Sequence, residues 1–179
     1  KAGALVGLGE QAGGTNGTRT ADIYGRYTGN GFDGMLSYVD DKKASLGLNV
    51  RTISAAGAYD IANGYRVLAG VIKTDDRSIA NADGVGYWLG GDYRVGANTF
   101  KAQYVESKLQ GSGDGKTQAF GVGYQYDLSK RTALYSSLTR FKNEGVAYAA
   151  RSAALVPAGL TTSGQGNITE FVTGIRHSF

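Results

Sequence analysis

The sequence predicts an all-β protein whose strands form a transmembrane antiparallel up-and-down β-barrel. Three observations support this fold class: large apolar residues alternate with small or polar ones, ten candidate strands have similar lengths, and their connections alternate between short and long. A strand with lipid on one side and water on the other needs large apolar residues to alternate with small or polar ones. A membrane barrel also explains why short and long connections alternate. Residues 1–179 are predicted to form one domain.

The alternation is clearest in the segment 119–127. One face of this predicted strand carries the large side chains of Phe120, Val122, Tyr124 and Tyr126. The other face carries only Ala, Gly, Gln and Asp, because successive side chains of a strand point to opposite sides. Segments 52–61 and 170–179 repeat the pattern, so the chain has a general two-faced character.

The same pattern, followed along the whole chain, gives ten candidate strands. They lie near 1–10, 20–29, 32–39, 50–61, 65–73, 86–95, 99–107, 117–127, 131–142 and 167–179. Most are close to the length of about 9–11 residues that a tilted strand needs to cross a bilayer. No apolar run approaches the roughly 20 residues of a membrane-spanning helix, so strands are the predicted means of crossing.

The connections between these strands are predicted to differ at the two ends of the barrel. Short turns are expected at 29–31, 62–64, 96–98 and 128–130, and long polar connections at 11–19, 40–49, 74–85, 108–116 and 145–166. An up-and-down membrane barrel has short periplasmic turns and longer outer loops, whereas a soluble sandwich needs no such difference. The last strand follows a long connection, which predicts a periplasmic C-terminus.

The composition argues against catalysis, a bound cofactor and nucleic-acid binding. The chain has no Cys, which excludes a disulfide framework and a thiolate metal site. Its single His, His177, has no catalytic or metal-binding partners and is predicted on the apolar side of the last strand. A net charge of +4, scattered along the chain, does not favour nucleic acid. We therefore predict no enzyme activity and no catalytic, metal or cofactor site.

Two segments resemble a known family. The stretch GVGYQYDLSKRTALY at 121–135 resembles the penultimate hairpin of the general porins of β- and γ-proteobacteria. The ending TGIRHSF at 173–179 resembles their closing strand, and the β-proteobacterial branch is the more similar. The pattern of strands and turns extends this resemblance over the whole chain.

The resemblance implies a sixteen-stranded, trimeric barrel in the bacterial outer membrane that passes ions and small hydrophilic solutes by diffusion. Its partners would be outer-membrane lipid and lipopolysaccharide, and the chain would correspond to the C-terminal ten strands. Phe179, with Phe171 and Ile175 before it, would signal to the assembly machinery. An open ten-stranded sheet leaves two unpaired edges in lipid, which is costly. Strands from a longer chain are favoured over closure as a ten-stranded barrel.

A pore of this kind needs a polar surface facing water. The candidate pore-lining residues are Arg26, Arg66, Asp92, Arg94, Lys101, Gln103, Gln125, Arg140, Glu170 and Arg176, and Lys142 is assigned to the same surface. Two interpretations stay open. Basic residues near the short-turn mouth would give a mild anion preference, because fields persist in a narrow channel. Alternatively, Asp33, Asp60, Asp92 and Asp127 pair with them and stiffen the wall.

A second function also stays open, namely an outer-membrane adhesin or binding barrel that acts through its long outer loops. The longest predicted loop, 145–166, is the best place for such a surface. The acidic pairs at 40–41 and 75–76 are assigned to outer loops as well. There they would bind a divalent cation, stay solvated, or contact lipopolysaccharide through bridging ions.

Overall fold

A computed structural model of the chain describes residues 2–8, 18–43, 48–77, 83–110, 115–144 and 166–179. Within these ranges it contains ten strands, which confirms the predicted all-β class. The strands are β1 (Ala2–Leu8), β2 (Thr18–Gly29), β3 (Phe32–Lys43), β4 (Leu48–Asp60), β5 (Tyr65–Asp76), β6 (Asp83–Val95), β7 (Asn98–Gln110), β8 (Gly115–Asp127), β9 (Thr132–Glu144) and β10 (Gly166–His177).

All ten strands belong to one sheet, in which each strand pairs antiparallel with the next along the chain. This is the up-and-down order that the short turns require, since a two-residue hairpin joins only antiparallel neighbours. In the described ranges β1 pairs only with β2, and β10 pairs only with β9. The sheet therefore has two free edges there.

The turns at one end of the sheet are tight and depend on residues that accept a positive φ. Asn30 and Gly31 join β2 to β3 with φ values of 51° and 77°, as a type I′ hairpin needs. Asn63 and Gly64, between β4 and β5, have φ values of 59° and 84°. The backbone N–H of Arg94 donates to the Gly64 carbonyl oxygen at 2.9 Å, so this turn is also held against β6.

The strands extend further at the opposite end than the alternation predicts. β3 continues to Lys43 and β7 to Gln110, so only four residues separate β3 from β4 and β7 from β8. The expectation of long connections at 40–49 and 108–116 is therefore wrong. The acidic pairs at 40–41 and 75–76 likewise lie in β3 and β5 and not in loops. Ladder hydrogen bonds continue after the apolar side chains stop, because backbone pairing does not depend on hydrophobicity.

The two faces of the sheet differ in chemistry. One, which we call the apolar face, carries large hydrophobic side chains that are exposed, such as Leu36 (65% exposed), Leu89 (62%) and Phe171 (67%). Among the described residues only Ala119 and Ala133 are buried hydrophobics. A water-soluble sheet would bury such a surface, since exposed apolar patches of this extent are unusual in soluble monomers. An apolar solvent on one side of the sheet explains the pattern.

Candidate functional site

The candidate site is the opposite side of the sheet, which we call the polar face. Direct cross-strand partners share a side of a sheet, so the register shows which residues lie together. Arg66 is opposite Asp92, which is opposite Lys101. Arg94 is opposite Thr99, the neighbour of Gln125. The predicted residues on this face are Arg26, Arg66, Asp92, Arg94, Lys101, Gln103, Gln125, Glu170 and Arg176.

Two predicted residues lie on the other side. Arg140 is opposite Phe120, which is opposite Tyr104 on the apolar face. Lys142, two residues further along β9, shares that face. The structure therefore corrects the expectation that Arg140 and Lys142 share a surface with Arg94. The sequence of β9 carries apolar side chains at both odd and even positions, so its alternation does not identify the faces.

Three of the arginines on the polar face form ion pairs. Arg26 donates to both carboxylate oxygens of Asp33, at 2.8 and 2.6 Å. An oxygen of Asp60 lies 3.1 Å from the guanidinium of Arg66, and one of Asp127 lies 3.1 Å from that of Arg94. All three pairs are partly exposed, so each adds little to stability but fixes the direction of its side chains.

Lys101 and Arg176 differ from these arginines. Both are exposed, and within the described ranges neither has a carboxylate within 4 Å. Gln125 lies between them on β8 and donates its amide N–H to Asp127 at 2.7 Å. Their charges are therefore less compensated than those of the paired arginines.

Lys101 and Arg176 share one concavity near the short turns with two of the paired arginines, Arg66 and Arg94. It has a volume of about 490 Å³. Its charged and amide lining residues are Asp60, Asn63, Arg66, Asp92, Arg94, Lys101, Gln125 and Arg176. Arg26 is separate from this group, on β2, and Gln103 and Glu170 lie further from the short turns on β7 and β10. The structure thus gathers five of the predicted residues with positive or amide side chains at one end of the polar face.

The C-terminal strand presents its predicted assembly residues on the apolar face. Phe171 is opposite Leu138, Ile175 is opposite Leu134, and both are strongly exposed, as is Phe179. His177 shares this face; its Nδ1 lies 2.9 Å from the Thr132 hydroxyl. Its ring meets that of Phe179 edge-on, with centroids 4.9 Å apart.

Two side-chain arrangements, one on each face of the sheet, were not predicted from the sequence. On the polar face, large side chains lie over glycines of the neighbouring strand, as where the Trp88 indole covers Gly70. On the apolar face, Glu106 is only 4% exposed although it lies in a strand with no hydrophobic core above it. Glu106 lies within the predicted strand 99–107, two residues from Tyr104 on the same face. Its partners Lys108 and Lys116 were assigned to the long connection 108–116, so the ion pairs were not predicted.

The predicted loop 145–166, the best place for the surface of an adhesin, lies outside the described residues except for Gly166, which begins β10. In the part of the chain that the structure describes, no three His, Asp or Glu side chains are grouped as metal ligands would be. No helix among those residues is long and apolar enough to span a membrane.

Comparison with known proteins gives concordant matches. A family model described as Gram-negative porin matches residues 1–146. Outer membrane porin protein 32 of Delftia acidovorans is 32% identical over 176 residues, which cover 89% of this chain and 48% of that protein. The chain therefore spans about half the length of this curated relative.

Two solved structures share the fold. An anion-selective porin from Comamonas acidovorans superposes with a TM-score of 0.67 and 24% identity, over 90% of this chain and 49% of that one. A loop-deletion mutant of OmpT, an outer membrane protein of Vibrio cholerae, superposes with a TM-score of 0.57 and 16% identity, over 89% and 53% of the two chains.

Proposed function

Because the chain belongs to the Gram-negative porin family, we propose that it forms part of the wall of a water-filled channel in the bacterial outer membrane. Ions and small hydrophilic solutes diffuse through this channel. The observation that carries the proposal is the two-faced sheet, with exposed hydrophobic side chains on one side and charged side chains on the other. Such a wall separates lipid from water and needs no catalytic group.

The complete barrel in this proposal has sixteen strands, forms a homotrimer and contacts lipopolysaccharide. The chain spans about half of its curated relative, and further strands would cover the free edges of β1 and β10, since unpaired backbone groups are costly in lipid. The C-terminus faces the periplasm, because β10 ends on the side of the short turns. Phe171, Ile175 and Phe179, exposed on the apolar face, serve as the assembly signal.

The channel has a mild preference for anions in this proposal. Lys101 and Arg176 are exposed on the polar face without a carboxylate within 4 Å in the described ranges. Fields from such charges persist in a narrow channel with low-dielectric walls. The paired arginines contribute less, since Asp33, Asp60 and Asp127 compensate them.

Planar-bilayer recording of the full-length protein tests both the channel and its preference for anions. We expect steady conductance in salt and a reversal potential of anion-selective sign in a KCl gradient. The double variant Lys101→Gln, Arg176→Gln should shift that potential towards cation selectivity. Lys73→Gln with Arg140→Gln removes the same charge from the apolar face and is the control. Absence of conductance would refute the channel; equal potentials in wild type and the first variant would refute only the role of Lys101 and Arg176.

A further inference from the structure

A second concavity lies beside the first on the polar face, where β7, β8, β9 and β10 run side by side. It has a volume of about 440 Å³, within the range of about 300–1,000 Å³ that is usual for small-molecule sites. Lys101, Gln125 and Arg176 line both concavities, whereas Tyr135 lines the second. We call this second concavity the tyrosine recess.

The base of the tyrosine recess is open because of Gly123 on β8. Its direct partners are Lys101 on β7 and Ser137 on β9. Gly123 does not have a positive φ, so the backbone does not require glycine at this position. A Cβ there would meet its nearest atom, the Ser136 carbonyl oxygen, at an ordinary 3.6 Å. The missing side chain therefore leaves room for a solute without relieving any strain.

The ring of Tyr135 forms one wall of the recess. Tyr135 is opposite Gly174 on β10, and a Cβ at Gly174 would collide with its hydroxyl and ring, so the ring lies across that glycine. Tyr135 is 40% exposed, and Val172, two residues from Gly174 on the same face, is 37% exposed. Apolar surface thus lies on the water side of the proposed channel, where its hydration is unfavourable. A solute with an apolar group would cover it.

The recess offers donors as well as apolar surface. Lys101 and Arg176 carry charges that no carboxylate of the described residues approaches within 4 Å, and the Ser137 hydroxyl lines the same space. A carboxylate accepts hydrogen bonds from all three groups, and it can form two parallel bonds with a guanidinium. A solute that combines a carboxylate with a flat apolar group therefore matches both parts of the recess.

We propose that the tyrosine recess binds aromatic carboxylates, that is, anions with a single ring and one carboxylate. The ring packs against Tyr135 above Gly123, in the manner of other aromatic pairs, and Lys101 and Arg176 hold the carboxylate. The inference rests on the proposed function, because it requires the polar face to line a water-filled channel.

Aromatic carboxylates differ from simple anions in the groups that they contact. Chloride or acetate would meet Lys101 and Arg176 and leave the ring of Tyr135 in water. An aromatic carboxylate contacts the cations and the ring together, so it should bind more tightly than either simple anion. Its binding is still weak, since a solute that passes through a channel has to leave its sites.

The test is the KCl conductance of the full-length protein in planar bilayers, with benzoate or acetate as the added probe. A solute held in the recess obstructs chloride and lowers the conductance. We expect benzoate to reach half of its maximal effect at a concentration at least about tenfold below that of acetate, because only benzoate gains ring contacts. Benzyl alcohol, which has the ring without the charge, should have no effect at the concentration where benzoate acts.

Four variants locate the effect. Tyr135→Ser removes the ring and should raise the half-effective concentration of benzoate roughly three- to tenfold, with that of acetate unchanged. Gly123→Val fills the base of the recess, keeps Tyr135 and should act in the same way. Lys101→Gln with Arg176→Gln should weaken the effects of both acids. Gly84→Val is the matched control, since a Cβ there also fits without collision, at the opposite end of the polar face.

Three outcomes would overturn the proposal: equal half-effective concentrations of benzoate and acetate, an equal effect of benzyl alcohol, or a benzoate effect that both Gly123→Val and Tyr135→Ser leave unchanged. A benzoate effect that is weakened by Gly123→Val and kept in Gly84→Val supports it, even where Tyr135→Ser folds poorly. A wild-type protein that does not conduct in KCl alone refutes the proposed function instead.

Discussion

At the scale of single residues, what a charge does depends on whether a neighbouring strand supplies a partner. Arg94 has its partner two strands away, in Asp127 on β8. Lys101 lies opposite Asp92, yet no carboxylate of the described ranges reaches it within 4 Å. Residues of the same charge therefore differ in the field that they contribute to the proposed channel.

Asp127→Asn should increase anion preference, because the substitution removes the charge that compensates Arg94 while keeping the shape of the side chain. The measurement is the reversal potential in a KCl gradient, and the expected shift is opposite in sign to that of Lys101→Gln. Asp75→Asn removes an equally ion-paired carboxylate from the apolar face and should have no effect. A shift towards cations in Asp127→Asn would contradict the prediction.

Gly64→Ala should destabilise the protein by roughly 1–3 kcal/mol, the usual cost of a strained backbone position. Gly64 has a φ of 84°, and a Cβ there would collide with the carbonyl oxygen of Arg94. Gly25→Ala is the matched control, since a Cβ at Gly25 meets no atom within 4 Å. Urea unfolding in detergent, followed by electrophoretic mobility of the folded form, compares the two. Equal midpoints would contradict the argument.

At the scale of strands, the apolar face is graded along its length. Aromatic side chains collect near the short turns, where Tyr65 stacks on Tyr93 with centroids 4.3 Å apart and Phe100 meets Tyr124 at 5.3 Å. Amphipathic rings are favoured at a membrane interface. Aliphatic residues such as Leu89 lie beyond them, and charges such as Lys108 follow at the far end.

Leu89→Arg tests whether this face contacts lipid. Leu89 is 62% exposed, so in water the change would be almost neutral. Against the bilayer midplane it should cost about 2–4 kcal/mol and reduce the yield of folded protein in lipid vesicles. Gln103→Arg, on the polar face of the neighbouring strand, should fold at wild-type yield. Equal yields of the two variants would indicate that the apolar face is not in lipid.

At the scale of the whole molecule, the main energetic cost is that of the two unpaired edges of the open sheet. Each free edge exposes a row of backbone N–H and C=O groups, and the hydrophobic side chains are not folded over to cover one another. Such a sheet is stable only as part of a larger closed structure in lipid.

Hydrogen exchange tests that statement. Along β10, the N–H groups directed away from β9 should exchange rapidly in the isolated 179-residue chain and slowly in the full-length protein, if the proposed further strands pair with them. The N–H groups of β5, which has neighbours on both sides, are the internal control and should be slow in both. Slow exchange along both edges of β10 in the isolated chain would indicate closure of ten strands.

Much of this fold follows from local sequence. The ten strands and the tight turns at Asn30-Gly31 and Asn63-Gly64 were predicted, because period-two alternation and positive-φ residues are short-range signals. The face of Phe120 and the face of Arg94 were also assigned correctly. The sequence by itself therefore determined the class of sheet and which side of most strands carries the large hydrophobic side chains.

The tertiary structure alone decided where strands end, which side Arg140 faces, and which charges meet. Glu106 joins Lys116, ten residues away, and Arg94 joins Asp127, because strand register brings them together. Register depends on all the ladder hydrogen bonds and side-chain contacts between two strands, not on any one residue. Alternation indicates the side of a strand on which a charge lies, but only pairing between strands supplies its partner.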